Sequence, residues 1–170
     1  VQIAHEFKIR LIGPNCLGVI DTHTPLNASF AAGTPPAGPL GFMSQSGALG
    51  TAVLDIALAG RLGLSRFVSL GNKADLNEID FIEYLQNDPD TDIILGYIED
   101  VVSGKGFLKA ASQATRVKPI VLLKSGGTEA GARAASSHTG ALAGSDVAFD
   151  AAFKQCGVIR AGGVQELFEA

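Results

Sequence analysis

From Gly38 onward, short apolar or β-branched runs alternate with longer amphipathic stretches, and this alternation limits the possible folds more than any other property of the chain. Residues 40–43 read as a strand and 48–59 as a helix ending before Gly60 and Gly63; 66–70 is a strand and 78–86 a helix stopped by the Asp88-Pro89 turn. A strand at 93–98, a helix at 105–115, a strand at 120–123, a helix at 146–155 and a last strand at 158–160 complete the order βαβαβαβαβ. Apolar strands without a polar face belong to a parallel sheet covered on both sides. Right-handed crossovers then give an α/β, doubly wound, flavodoxin-like sheet of about five strands. The expected division is a lead-in over residues 1–37, crossing from a preceding domain, and the α/β domain proper over 38–170. The chain opens at Val1 and closes within a helical pattern at 166–170, so it is expected to be a segment of a longer polypeptide.

With 170 residues, 46% of them hydrophobic, one domain can bury a substantial core. A net charge of −4, with thirteen dispersed Lys and Arg, argues against a nucleic-acid partner. Apolar runs such as 93–95 and 120–123 fall far short of the roughly 20 residues that span a bilayer. No secretory leader opens the chain, and Cys16 and Cys156 do not make a disulfide framework, so a soluble protein of the reducing cytoplasm is expected.

Doubly wound sheets bind ligands beyond the carboxyl ends of their strands. The segments 44–47, 71–73, Glu99 and 125–128 should therefore share one edge. Ser44, Gln45, Ser46 and Gly47 open the first long helix, where free amides and the positive helix end favour an anion, although a plain serine cap is the simpler reading. Ser125, Gly126 and Gly127 hold the same position after the strand at 120–123.

Between Ser125 and Gly144 five glycines and five hydroxyl residues surround one imidazole, His138, a composition that suits a long movable loop. Neutral imidazole is nucleophilic near neutral pH and needs only orientation and a cradle for the anion it attacks. Glu99, at the end of its strand, could accept a hydrogen bond from one ring nitrogen and leave the other free; a helix-capping role is the alternative. Asp100 is expected to point the opposite way. His5 and His23 read as solvated, Asp75 and Asn77 as turn and capping residues, and Cys16 as either a packed thiol or part of a thiol or acyl pocket. The three histidines and two cysteines lack ligand spacing, so no metal site is expected in this domain.

Gly13-Pro14-Asn15-Cys16-Leu17-Gly18, Ser44-Gln45-Ser46-Gly47, Gly71-Asn72-Lys73, Tyr97-Ile98-Glu99 and the run from Ser137 to Gly144 together resemble, in this order, the NDP-forming acyl-CoA synthetase family. That family includes ADP-forming acetyl-CoA synthetases and is related to the succinyl-CoA synthetase α subunit. The resemblance implies a ligase in which acyl-CoA and phosphate give acyl phosphate, His138 takes the phosphoryl group, and ADP or GDP receives it. By the same analogy Glu99 orients the imidazole, the amides and hydroxyls of Ser44 to Gly47 receive the phosphoryl group at a helix N-terminus, and Asn15 and Cys16 lie near the CoA thiol and acyl group; Ser125, Gly126 and Gly127 are read from their own composition as a second phosphate-binding loop. It further implies no tightly bound cofactor, with CoA, phosphate and ADP or ATP as substrates, Mg²⁺ held with the nucleotide elsewhere, a CoA-binding domain and an ATP-grasp domain or subunit as partners, and an oligomer. This segment alone should not complete turnover.

Two other readings stay open. The family's fold also serves as a regulatory module of protein lysine acetyltransferases, which typically lacks the reactive histidine. Ser46, Glu99 and His138 also follow the order of a serine hydrolase, but Ser44 and Ala48 stand where a nucleophile elbow carries glycines.

Overall fold

A seven-stranded sheet organises the computed structural model, which describes residues 1–126 and 146–169. Its strands are β1 (Gly18–Asp21), β2 (Leu26–Ser29), β3 (Ala37–Ser44), β4 (Leu64–Ser69), β5 (Ile93–Ile98), β6 (Ile120–Lys124) and β7 (Ile159–Ala161). The described helices are α1 (Gln2–Glu6), α2 (Gly47–Gly60), α3 (Glu78–Asn87), α4 (Gly104–Ala114), α5 (Asp146–Cys156) and α6 (Glu166–Glu169). The spatial order is β2-β1-β4-β3-β5-β6-β7. The five strands expected from the apolar runs form its parallel part, β4-β3-β5-β6-β7.

The expected count of about five is thus corrected to seven. The segment before residue 38 contributes an antiparallel hairpin, with β1 pairing both β2 and β4. Its strands are four residues each and mostly exposed or half-buried, so they lack the continuous apolar signal of β4, all six of whose residues are buried. Arg66 on β4 fastens this hairpin. Its guanidinium lies 3.0 Å from Asp21, 3.1 Å from Asp88 and 2.9 Å from Asp90. Burial opposes its charge, but the Tyr84 hydroxyl and the carboxylates outweigh that, and its pKa is raised.

Two hydrophobic layers flank the sheet. On one face Val53, Leu54 and Ala57 of α2 and Leu167 of α6 pack on Phe42, Phe67 and Leu95. On the other, Ile82 and Leu85 of α3, Phe107 and Ala111 of α4 and Phe153 of α5 pack on Met43, Ile94 and Leu122. Among the described residues no helix is long and apolar enough to cross a membrane.

Asn77 caps α3 as expected: its side chain accepts from Ile79 N at 2.9 Å, and Asp80 accepts from Asn77 N at 3.0 Å. Replacing Asn77 with alanine should cost about 1 kcal/mol, read as a fall of roughly 3 °C in melting temperature. Asp75 does more than shape a turn. It accepts from Leu11 N at 2.8 Å and from Arg10 at 2.9–3.1 Å, so it anchors the lead-in; the Arg10 guanidinium holds its carboxyl well below the usual range. His5 and His23 are exposed, as expected, and each also stands near a carboxylate: His5 lies 3.1 Å from Asp75 and His23 3.5 Å from Asp90.

Candidate functional site

Strand order reverses between β3 and β5, and in a doubly wound sheet the carboxyl ends on either side of that reversal open a crevice. Here its volume is about 840 Å³. Its lining comes from residues 45–48 after β3, with Thr51 one turn into α2, from 71–73 after β4, and from Glu99 and Asp100 after β5. Asn15, Cys16, Leu17 and Phe30, from the segment before residue 38, form the remaining wall.

The loop after β3 gives three of its four expected phosphate contacts a place on this crevice. Ser44 is corrected: it is wholly buried, and its hydroxyl donates to Ser46 O at 2.7 Å, supporting the turn from beneath. Ser46 is the N-cap of α2, its Oγ accepting from Leu49 N at 3.2 Å, which is the behaviour of a capping serine rather than of a nucleophile held free. Gly47 and Ala48 follow at the helix start, where amides lack intrahelical acceptors. A side chain added at Gly47 would meet nothing within 4 Å. The backbone there faces open space.

The loop after β4 brings in the lead-in wall. Gly71 has φ +56° and lies so close beneath Pro14 and Asn15 that a Cβ would sit 2.3 Å from Pro14 O. Asn72 N donates to Pro14 O at 2.9 Å and Asn15 Nδ2 to Asn72 Oδ1 at 3.3 Å, and these contacts hold Asn15 at the rim. Cys16 is a half-buried free thiol in the same wall.

Lys73, at φ +52°, turns its ammonium back under the crevice. There it meets Asp100 Oδ1, lies 3.2 Å from Asp100 O, and is 3.1 Å from Glu78 Oε2, off the line of a hydrogen bond.

Glu99 and Asp100 both line the crevice. The expectation that Asp100 points away is corrected because β5 ends at Ile98, so strand alternation no longer governs the next two residues. Burial would raise the Asp100 carboxyl pKa, but hydrogen bonding and charge from Lys73, with a further bond from Gln45, bring it below its ordinary value. Tyr97 is pushed up by burial and by the Glu99 carboxylate, against a hydrogen bond with Ser125.

Ser125 and Gly126 stand at the end of β6, with Ser125 N donating to Ile98 O at 2.9 Å. They share the carboxyl edge but lie beside the crevice, outside its lining. Buried Lys124 beneath them donates to Ser125 O at 2.6 Å and lies 4.7 Å from the Phe149 ring centre; burial lowers its pKa. Gly127 and His138 fall outside the described residues. Among the described residues no group of three or more His, Cys, Asp or Glu could hold a metal ion.

The sequence reading assigned no role to Lys73, Glu78 or Asp100. Their only signal was the position of Lys73 and Asp100 after the two strands that flank β3.

Residues 37–170 match the model of the succinyl-CoA ligase like flavodoxin domain. The chain is 52% identical over 168 residues to an ADP-forming acetate–CoA ligase of Methanocaldococcus jannaschii, a match covering 99% of this chain and 24% of that protein. It is 45% identical over 169 residues to the α subunit of ADP-forming acetate–CoA ligase I of Pyrococcus furiosus, covering 99% of this chain and 37% of that subunit. A solved structure of the dinucleotide-forming acetyl-coenzyme A synthetase 1 of Ca. Korarchaeum cryptofilum, in complex with phosphate and ADP, shares 41% identity and a TM-score of 0.94, covering 99% of this chain and 37% of that chain. The chain therefore spans about a quarter to somewhat over a third of the length of these relatives.

Proposed function

The chain belongs to the succinyl-CoA ligase like flavodoxin domain family, and from that premise we propose that it is the phosphohistidine-carrying ligase domain of an ADP-forming acyl-CoA synthetase. A phosphate oxygen attacks the thioester carbonyl of acyl-CoA, the C–S bond breaks, and CoA leaves as a thiol after taking a proton. An unprotonated ring nitrogen of His138 attacks phosphorus in the resulting acyl phosphate, the P–O bond breaks, and the carboxylate departs. An oxygen of the ADP β-phosphate then takes the phosphoryl group from nitrogen, giving ATP and free imidazole.

The observation that carries this reading is the crevice at the strand-order reversal. Helix-start amides at Gly47 and Ala48 border it, open space lies before Gly47, and Glu99 lines the same crevice. Phosphoryl transfer asks mainly for positioning and charge stabilisation. The amides of Ser46, Gly47 and Ala48 supply the cradle and Glu99 orients the imidazole. Ser125, Gly126 and Gly127 receive the phosphoryl group from the adjoining loop, and Asn15 and Cys16 face the thioester.

Magnesium accompanies the nucleotide and is not held here, since the crevice carboxylate of Asp100 is already met by the Lys73 ammonium. A CoA-binding domain ahead of residues 1–37 and an ATP-grasp domain or subunit complete the enzyme, which we take to be an oligomer. Both cysteines are free thiols, which suits a reducing cytoplasm.

Incubating the full-length protein with γ-labelled ATP and Mg²⁺ and mapping its peptides tests the proposal. The expected product is an acid-labile, base-stable phosphate on the peptide carrying His138. Acid-stable label on a serine, or no label, would overturn it.

A further inference from the structure

Gln45 stands on the phosphate loop, yet every donor it has is engaged inside the protein. Its backbone N–H donates to Tyr97 O at 3.1 Å. Its side-chain Nε2 donates to Asp100 O at 3.1 Å and to Asp100 Oδ1 at 3.0 Å. Its Oε1 accepts from Glu99 N and, at 3.1 Å, from Asp100 N. An amide has two N–H groups and one carbonyl, so the side chain has no donor left for an anion. It does grip the turn that carries Glu99 from four directions.

Two further groups hold the same turn. Lys73 meets the Asp100 carboxylate from the loop after β4, and Glu78 Oε1 accepts from Val102 N at 2.7 Å from the start of α3.

We propose that Gln45 is a positioning residue for Glu99, not a phosphate ligand: its amide sets the place of the Glu99 carboxylate, with Lys73 bonded to the same two oxygens of Asp100. The inference rests on the functional reading above, in which that carboxylate orients the imidazole. A misplacement of about 1 Å in such a group costs on the order of 100-fold in rate.

The test uses the full-length enzyme and the rate of histidine phosphorylation by labelled ATP as a function of pH. Gln45→Met keeps the size of the side chain and removes all four hydrogen bonds. It should slow phosphorylation on the order of 100-fold while the KM for phosphate in the forward reaction stays unchanged. Its acid limb should move to lower pH, because an imidazole that has lost its carboxylate neighbour titrates lower.

Gln45→Glu sets two carboxylates against each other and should be equally slow. Adding Asp100→Asn restores a donor–acceptor pair of reversed polarity and should recover at least about tenfold of that loss. This pair of variants decides the matter if Gln45→Met fails to fold. A wild-type enzyme that phosphorylates its histidine while Gln45→Met matches it in rate and pH profile would overturn this role alone. A raised KM for phosphate with an unmoved acid limb would do the same and restore the ligand role. A wild-type enzyme forming no phosphohistidine would overturn the functional reading and this role with it.

Discussion

Replacing His138 with asparagine is expected to lower ATP formation from acyl-CoA, phosphate and ADP by about four orders of magnitude or more, the scale on which losing a covalent carrier acts. Asparagine keeps polarity and approximate reach but has no lone pair nucleophilic enough to take a phosphoryl group near neutral pH. Acyl phosphate supplied directly with ADP should not restore turnover, because the missing step lies between those two compounds. The measurement is steady-state ATP production beside the labelled-peptide map. A variant retaining a tenth of wild-type turnover would sink the phosphohistidine reading, since a hydroxyl or water-mediated route would then suffice.

The second large effect is on stability. Lys73→Met removes the cation beside Glu78, whose side chain is 0% exposed, from a lysine side chain only 8% exposed. Breaking a buried pair from one side costs about 3–5 kcal/mol, because the other charge stays buried and unmatched. For a domain of this size that means a melting temperature lower by roughly 10 °C. Lys73→Met/Glu78→Gln should recover much of it, since glutamine still accepts from Val102 N without carrying charge. The Asp100 carboxyl, held low by Lys73 against the effect of burial, sets a pH dependence of defined sign. Its contribution is present at neutral pH and is lost as pH falls through its depressed pKa. The gap between wild type and Lys73→Met should therefore narrow in acid. Melting curves at pH 7 and in acid check both statements, and an unchanged melting temperature at pH 7 would refute the burial argument.

The parallel part of the fold was legible because residues 93–95 and 120–123 are apolar runs, and a strand buried on both faces must read that way. Helix ends came within a residue or two: 48–59 was expected where α2 runs Gly47–Gly60. The hairpin was not legible. Gly18–Asp21 and Leu26–Ser29 are short, the first half-buried and the second mostly exposed, and they are held by Arg66, whose partners lie at positions 21, 88 and 90. The family resemblance carried by the ordered motifs was borne out over residues 37–170.

At the crevice, local sequence located the three loops, since each follows a strand of the parallel set. It could not assign side-chain direction. Gln45 meets a carboxylate 55 positions away and Arg10 one 65 positions away, and only the strand order reveals such pairings. Asp100 was misjudged because it lies two residues past the end of β5, where the backbone no longer alternates.

The turn bearing Glu99 is held by three groups from two crossovers: an amide after β3, and an ammonium and a carboxylate that both lie on the connection from β4 through α3 to β5. A loop exchanged singly with a relative's would bring the amide without its acid, or the ammonium without its counter-charge. For anyone recombining such enzymes, the smallest transferable module is the trio, and a chimaera that divides it inherits a sound scaffold with a wandering carboxylate.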